Sequence, residues 1–233
     1  CEVVAREGLG SVCREMGRFA EGKEHCTRAL SLARAIGDSG REAAAAADLG
    51  GLCYCSGDFA GARTHLQASL ALAQKAGDRA RVGRATICLA QVALEEGHAD
   101  EAAARLDEGV DIARELDLPL LLVPALAWRL RLLGGDDDRA IDELRACRER
   151  APLDSQLDAH YCLFLATGEV GDLAEAKRLL DHLVDHAPEE YRESMLKNVR
   201  LNREIMEAWA SLDPELVEGE HGGGEQEEAP KVP

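Results

Sequence analysis

The stretch RALSLARAIGD, residues 28 to 38, returns forty residues later as ASLALAQKAGD at 68 to 78, and a third copy, EGVDIARELDL at 108 to 118, keeps the same interval. Three copies at one period read as a repeat array, whose length is not limited by a single core. Apolar residues recur within each copy at helical spacing, so the unit is built from helices with one buried face. Aligned on turn glycines, Gly17, Gly57, Gly97, Gly135 and Gly171, the units follow one another at 40, 40, 38 and 36 residues.

Five residues beyond these glycines stand Gly22, Ala62, Ala102, Ala140 and Ala176, and four further on Cys26, Leu66, Leu106, Leu144 and Leu180. That spacing puts a small and a large residue on one face of a second helix, where a small side chain lets two helices approach closely. The first helices carry Leu-Gly at Leu9-Gly10 and Leu49-Gly50. Pro152 and Pro188 each lie seventeen residues after a turn glycine, where proline closes a helix.

These L-G, A-x3-L and terminal P positions resemble the tetratricopeptide repeat, a helix-turn-helix unit. The longer, 40-residue form ending in Gly-Asp is similar to arrays attached to large bacterial signalling ATPases, kinases and transcriptional activators. The resemblance implies an all-α, right-handed α-α superhelix, a tetratricopeptide-like solenoid of about five helical hairpins with a C-terminal capping helix. The hairpins are expected at 1–38, 39–78, 79–117, 118–152 and 153–188, the capping helix at 189–212 and a disordered acidic tail at 213–233. The chain departs from the family where large aromatic side chains usually stand in the first helix: Arg6, Ala46, Thr86, Pro124 and His160 occupy those places.

Composition agrees with an all-helical reading, since aromatic residues make up 3% of the 233 and no alternating Val, Ile and Thr run suggests a sheet. A formal charge of -17 argues against nucleic acid as a partner, because a phosphate-binding surface needs clustered Lys and Arg. LPLLLVPALAW at 118 to 128 is too short to span a membrane and reads as a buried helix. Eight cysteines without CxxC pairs read as small buried apolar residues in a reducing cytoplasm. The chain opens at Cys1 inside a helical pattern, which reads as a piece of a longer protein.

No constellation for catalysis, metal or cofactor emerges. HLVDH spaces His182 and His186 four apart, yet Leu183 stands where a zinc protease needs Glu. GGDDD at 134 to 138 is placed to cap a following helix. HGGG at 221 to 224 resembles an esterase oxyanion loop but has no GxSxG to serve.

In the family, the first helices line a concave groove that receives a peptide. Carried over through the turn glycines, the groove residues are Arg14, Tyr54, Arg84, Ile87, Gln91, Leu94, Arg129, Leu132 and Tyr161, with Glu7, Ala47 and Asp158 beside them. Glu7 and Ser11 stand where the chaperone-binding members carry a Lys and Asn carboxylate clamp, so that role is not implied. The expected function is a protein-protein interaction scaffold within a larger signalling or regulatory protein, not itself an enzyme, taking an acidic, amphipathic peptide. The alternative is the regulatory tail of an enzyme, a serine/threonine kinase or signalling ATPase, whose catalytic domain lies upstream.

Residues 213–233 carry almost no apolar side chains to offset chain entropy. Deleting them should leave the thermal unfolding midpoint unchanged within error, and a clear drop would show that the tail docks.

Overall fold

The computed structural model describes residues 1–212, and every regular element among them is helical. Five hairpins follow in order: α1 (Glu2–Glu15) with α2 (Phe19–Ile36), α3 (Ser39–Cys55) with α4 (Phe59–Ala76), α5 (Arg79–Glu95) with α6 (Ala99–Glu115), α7 (Pro119–Leu133) with α8 (Asp138–Cys147), and α9 (Leu153–Thr167) with α10 (Val170–His186). Two short helices, α11 (Glu189–Asn198) and α12 (Arg200–Ala210), end the described chain. Each helix from α1 to α7 packs on its successor, and the first helices α1, α3, α5, α7 and α9 also touch in series. They form the inner layer of the stack and their partners the outer one. No helix among the described residues is long and apolar enough to cross a membrane.

The Gly-Asp pairs of the opening stretches explain how one hairpin passes to the next. Gly37 and Gly77 take left-handed backbone at φ 71° and 68°, ending α2 and α4. Directly after them, Asp38 and Asp78 accept the N–H groups of Arg41 and Arg81 at 2.9 and 3.0 Å, capping α3 and α5. The third copy has no glycine at the stop position, and Asp117, which stands there, itself adopts φ 47°. Aspartate tolerates this conformation at a cost of about 1 kcal/mol.

Two turn glycines differ from those read in the sequence. The fourth is Gly134, at φ 70°, and not Gly135. The fifth is Gly168, at φ 74° after α9, whereas Gly171 lies inside α10. No Asp follows Gly168, and the later Gly171-Asp172 pair has the spelling of a cap without its place. Asp172 is instead buried and meets His160 Nδ1 at 2.9 Å, joining α9 to α10.

Close approach within each hairpin rests on the small-residue positions. Ala62, Ala102, Ala140 and Ala176 are all buried, as are Leu66, Leu106, Leu144 and Leu180. A Cβ on Gly50 would stand 2.7 Å from Leu66 Cγ, so this Leu-Gly pair marks where α3 and α4 touch. Leu49 is buried between neighbouring helices, while its counterpart Leu9 is 47% exposed on α1.

The capping segment is two helices where one was expected, because Val199 takes extended backbone (φ -74°, ψ 115°) between α11 and α12. Met195 and Ile205 are its buried apolar residues. The expected tail at 213–233 lies outside the described residues.

An ion-paired cluster joins the second hairpin to the third: Arg63 of α4 bonds to Glu96 and, at 2.9 Å, to Glu101 of α6, which also accepts from Arg105 at 2.8 Å. The hydrogen bonds from Arg63 and Arg105 lower the Glu101 pKa from 4.5 to about 2. A carboxyl whose folded pKa is depressed adds stability above its unfolded pKa and loses it as pH falls through the folded one. Glu101→Gln should therefore flatten the acid limb of a stability-pH curve between 4.5 and about 2, read by urea unfolding at each pH. Replacing Ala102 by Leu should cost ~1 to 3 kcal/mol by overpacking, measured by thermal melting; an unchanged melt would mean that α5 and α6 are not in close contact there.

Candidate functional site

The inner layer gathers its chemistry around Arg131 of α7. Its guanidinium lies 5.1 Å from the ring centre of Trp128 and 5.4 Å from that of Tyr161. Nη1 donates to Glu204 of α12 at 3.1 Å, Nε approaches Cys162 Sγ at 3.2 Å, and Asp158 stands 3.6 Å away. Burial opposes the arginine's charge, but Cys162, Asp158 and Glu204 outweigh it and hold the pKa above the ordinary value. Asp158 itself is pushed up by burial, with Arg131 pulling against it. An arginine between two aromatic rings with carboxylates at its edge is a fork held in one orientation.

Next to it, Tyr54 of α3 sets its ring against Phe59 at 5.9 Å and edge-on to Trp128 at 6.3 Å. Its hydroxyl donates to Glu95 at the end of α5 at 3.3 Å, and burial first, then Glu95, raises its pKa. Arg200 of α12 pairs with Glu95 and, at 2.6 Å, with Glu204. A cavity of about 410 Å³ opens here, with Leu94, Trp128, Arg131, Leu165 and Arg200 in its wall.

A second patch lies nearer the N-terminus of the stack. Arg84 of α5 is tied to Asp48 of α3 at 2.7 Å. Arg14 of α1 has no carboxylate within 4.0 Å among the described residues, and its charge acts on the thiols of Cys55 and Cys88. Cys55 is exposed, yet desolvation raises its pKa, as expected of a side chain on the floor of a concavity.

Of the residues assigned to the groove from sequence, Tyr54, Leu94 and Tyr161 surround the Arg131 cluster and Arg14 and Arg84 form the second patch. Gln91 and Leu132 are half-buried on α5 and α7. Ile87 lies elsewhere: it is 3% exposed and would meet a Cβ on Gly109 at 2.6 Å, so it belongs to the contact between α5 and α6. Arg129 points to the outer side, where it bonds to Asp137 at 2.7 Å and pairs with Asp107. Asp137 also caps α8 through the Ala140 N–H at 3.1 Å. Glu7 is held by Arg41 at 3.0 Å.

Trp128 and Arg131, the centre of the site, were missed through one residue of register. Counting back from Gly134 instead of Gly135, the positions that gave Arg129 and Leu132 fall on Trp128 and Arg131. The left-handed glycine of the Gly134-Gly135 pair decides between them.

Two clusters carry the residue types of a metal site, and the first is tied up in contacts within the protein. Cys13, Glu21 and His25 offer three ligand atoms within 4.8 Å of one another. Arg6 donates to His25 Nδ1 at 3.2 Å, which leaves the ring proton on Nε2 toward Glu21, and Arg18 holds Glu21 at 2.8 Å. His182 and His186 lie on the exposed face of α10 with ring centroids 4.2 Å apart and tilted, and His186 Nδ1 donates to the His182 carbonyl at 2.8 Å.

Solved structures show the same fold. A Rap protein complexed with Competence and Sporulation Factor superposes with a TM-score of 0.59 at 17% identity, over 90% of this chain and 66% of that one. A putative kinesin light chain from Podosopora anserina, with nearly identical TPR-like repeats, gives 0.54 at 17% identity over 85% of this chain and 97% of its own. A singly substituted form of that light chain gives 0.54 at 18%, over 78% and 92%. None of the curated proteins matches this chain. The model of one family matches residues 2–212, nearly all of the chain and all but one of the described residues, and the protein accordingly belongs to the family of the MalT-like TPR region.

Proposed function

We infer that this protein is a non-catalytic interaction module that receives a peptide or partner helix on its inner layer, as part of a larger signalling or regulatory protein. The observation that carries this reading is the Arg131 cluster: arginine, tryptophan and tyrosine, the residues most often dominant in binding energy, converge on one concave surface. Membership of a TPR-type family supports it. So does the Rap protein of similar fold, which is complexed with a named factor. The arginines favour a ligand with carboxylates, which their planar forks hold in bidentate pairs. A cytoplasmic setting fits the eight cysteines, all free thiols.

Panning a displayed library of random peptides against the chain tests the reading. Retained peptides should bind about tenfold or more weakly to Tyr54→Ala or Trp128→Ala and equally well to Arg178→Ala on the outer layer. Arg84→Ala should chiefly reduce the association rate and its salt sensitivity. Peptides that ignore both aromatic substitutions and respond to outer-layer changes would place the binding face on the convex side.

A further inference from the structure

Helices α11 and α12 do more than close the last hairpin. On its apolar side α12 brings Ile205 into the cluster of Leu157, Tyr161 and Leu173. On its polar side it reaches across the inner layer, with Glu204 on Arg131 at 3.1 Å and Arg200 on Glu95. From there α11 extends to the other end of the stack. Ser194 Oγ donates to the Met16 carbonyl at 2.5 Å and Asn198 Nδ2 to the Gly17 carbonyl at 3.0 Å, while Arg18 lies 5.2 Å over the Tyr191 ring. Gly17 is buried beneath it, and an added Cβ would stand 2.5 Å from the Ser194 carbonyl oxygen. The equivalent glycines Gly57 and Gly97 have nothing within 4 Å. The segment therefore straps the first turn to the last hairpin across the concave face.

The strap is thin. Met195 is the one buried residue of α11, its N-terminus has no side-chain cap, and Val199 breaks it from α12. Helices with few buried apolar contacts open at low free energy. Were α12 to leave, Arg131 would keep only Asp158 as a charged partner and would open to water, and an incoming helix that covered it again without a second carboxylate would leave the cation desolvated and under-paired, which is costly. Whatever replaces α12 must therefore restore a carboxylate at Arg131 and apolar cover beside Tyr161.

We propose that α11 and α12 are a built-in, displaceable occupant of the concave face, which in their absence takes a partner's amphipathic helix carrying a carboxylate directly before a large apolar residue, as Glu204 precedes Ile205. The proposal rests on the peptide-binding reading above and names the ligand class and the competitor. Tethering gives the resident helix an effective concentration of about millimolar, so a ligand in trans gains when the strap is loosened.

The test uses the full chain and its Tyr191→Ala/Asn198→Ala form, with a labelled synthetic peptide of residues 199–212 as probe. Amides of α11 should exchange with solvent faster than those of α9, and faster still in the double variant, with α1 to α9 unchanged. The variant should bind the probe at least tenfold more tightly by fluorescence anisotropy, and a probe carrying Glu204→Gln should lose that gain. Two results overturn the proposal: α11 exchanging as slowly as α9 in both forms, or no gain in probe binding once exchange shows α11 open. Peptides from panning that depend on Tyr54 and Trp128 yet bind both forms equally would leave the groove reading intact and remove the strap alone.

Discussion

The stack depends on the close approach between the two helices of a hairpin, seen most plainly where Gly50 leaves room for Leu66. Two helices approach this closely where one of them presents a small residue against a large one on the other. The chain meets that demand with Gly10 opposite Cys26 in the first hairpin, Gly50 opposite Leu66 in the second and Gly109 opposite Ile87 in the third. Because each hairpin is narrow at this point, the next can be added at a constant offset, and the inner layer becomes one continuous surface. Trp128 and Arg131 stand three residues apart on α7, and the stacking of first helices brings Tyr54 of α3 against Trp128.

Alternation of small and large residues also accounts for the low aromatic content. The places where the family puts large aromatic side chains in the first helix hold Ala46, buried in the core, and Thr86, also buried. The aromatic residues that remain are free for other work, and Tyr54, Trp128 and Tyr161 meet on the inner layer around one arginine. A groove of this composition combines rigid contact area with a charge whose direction is fixed by its neighbours.

Most of the fold could be read from the chain because its signals are local. Gly37-Asp38 and Gly77-Asp78 specify a left-handed stop and a cap within two residues, and the Ala-x3-Leu pairs need only helical periodicity. Reading failed where local spelling and position diverged: Gly135 stood next to the true turn at Gly134, and Gly171-Asp172 imitated a cap inside α10. The first of these displaced Trp128 and Arg131 from the candidate groove. The course of α11 was illegible for a different reason, since the contacts of Ser194 and Asn198 are with backbone carbonyls at the far end of the chain, and carbonyls carry no sequence signal.

Those contacts change how the molecule holds together. An array of hairpins is close to one-dimensional: each unit feels its neighbours, stability adds along the row, and folding can begin at any unit and spread. The bond from Asn198 to Gly17 joins residues 181 apart in sequence. Such a link forms only after the intervening hairpins are in place, because closing so long a loop earlier would cost entropy with little return. Once made, it turns a row with two fraying ends into a closed circuit, in which loosening the first turn is felt at the last helix as directly as at its neighbour.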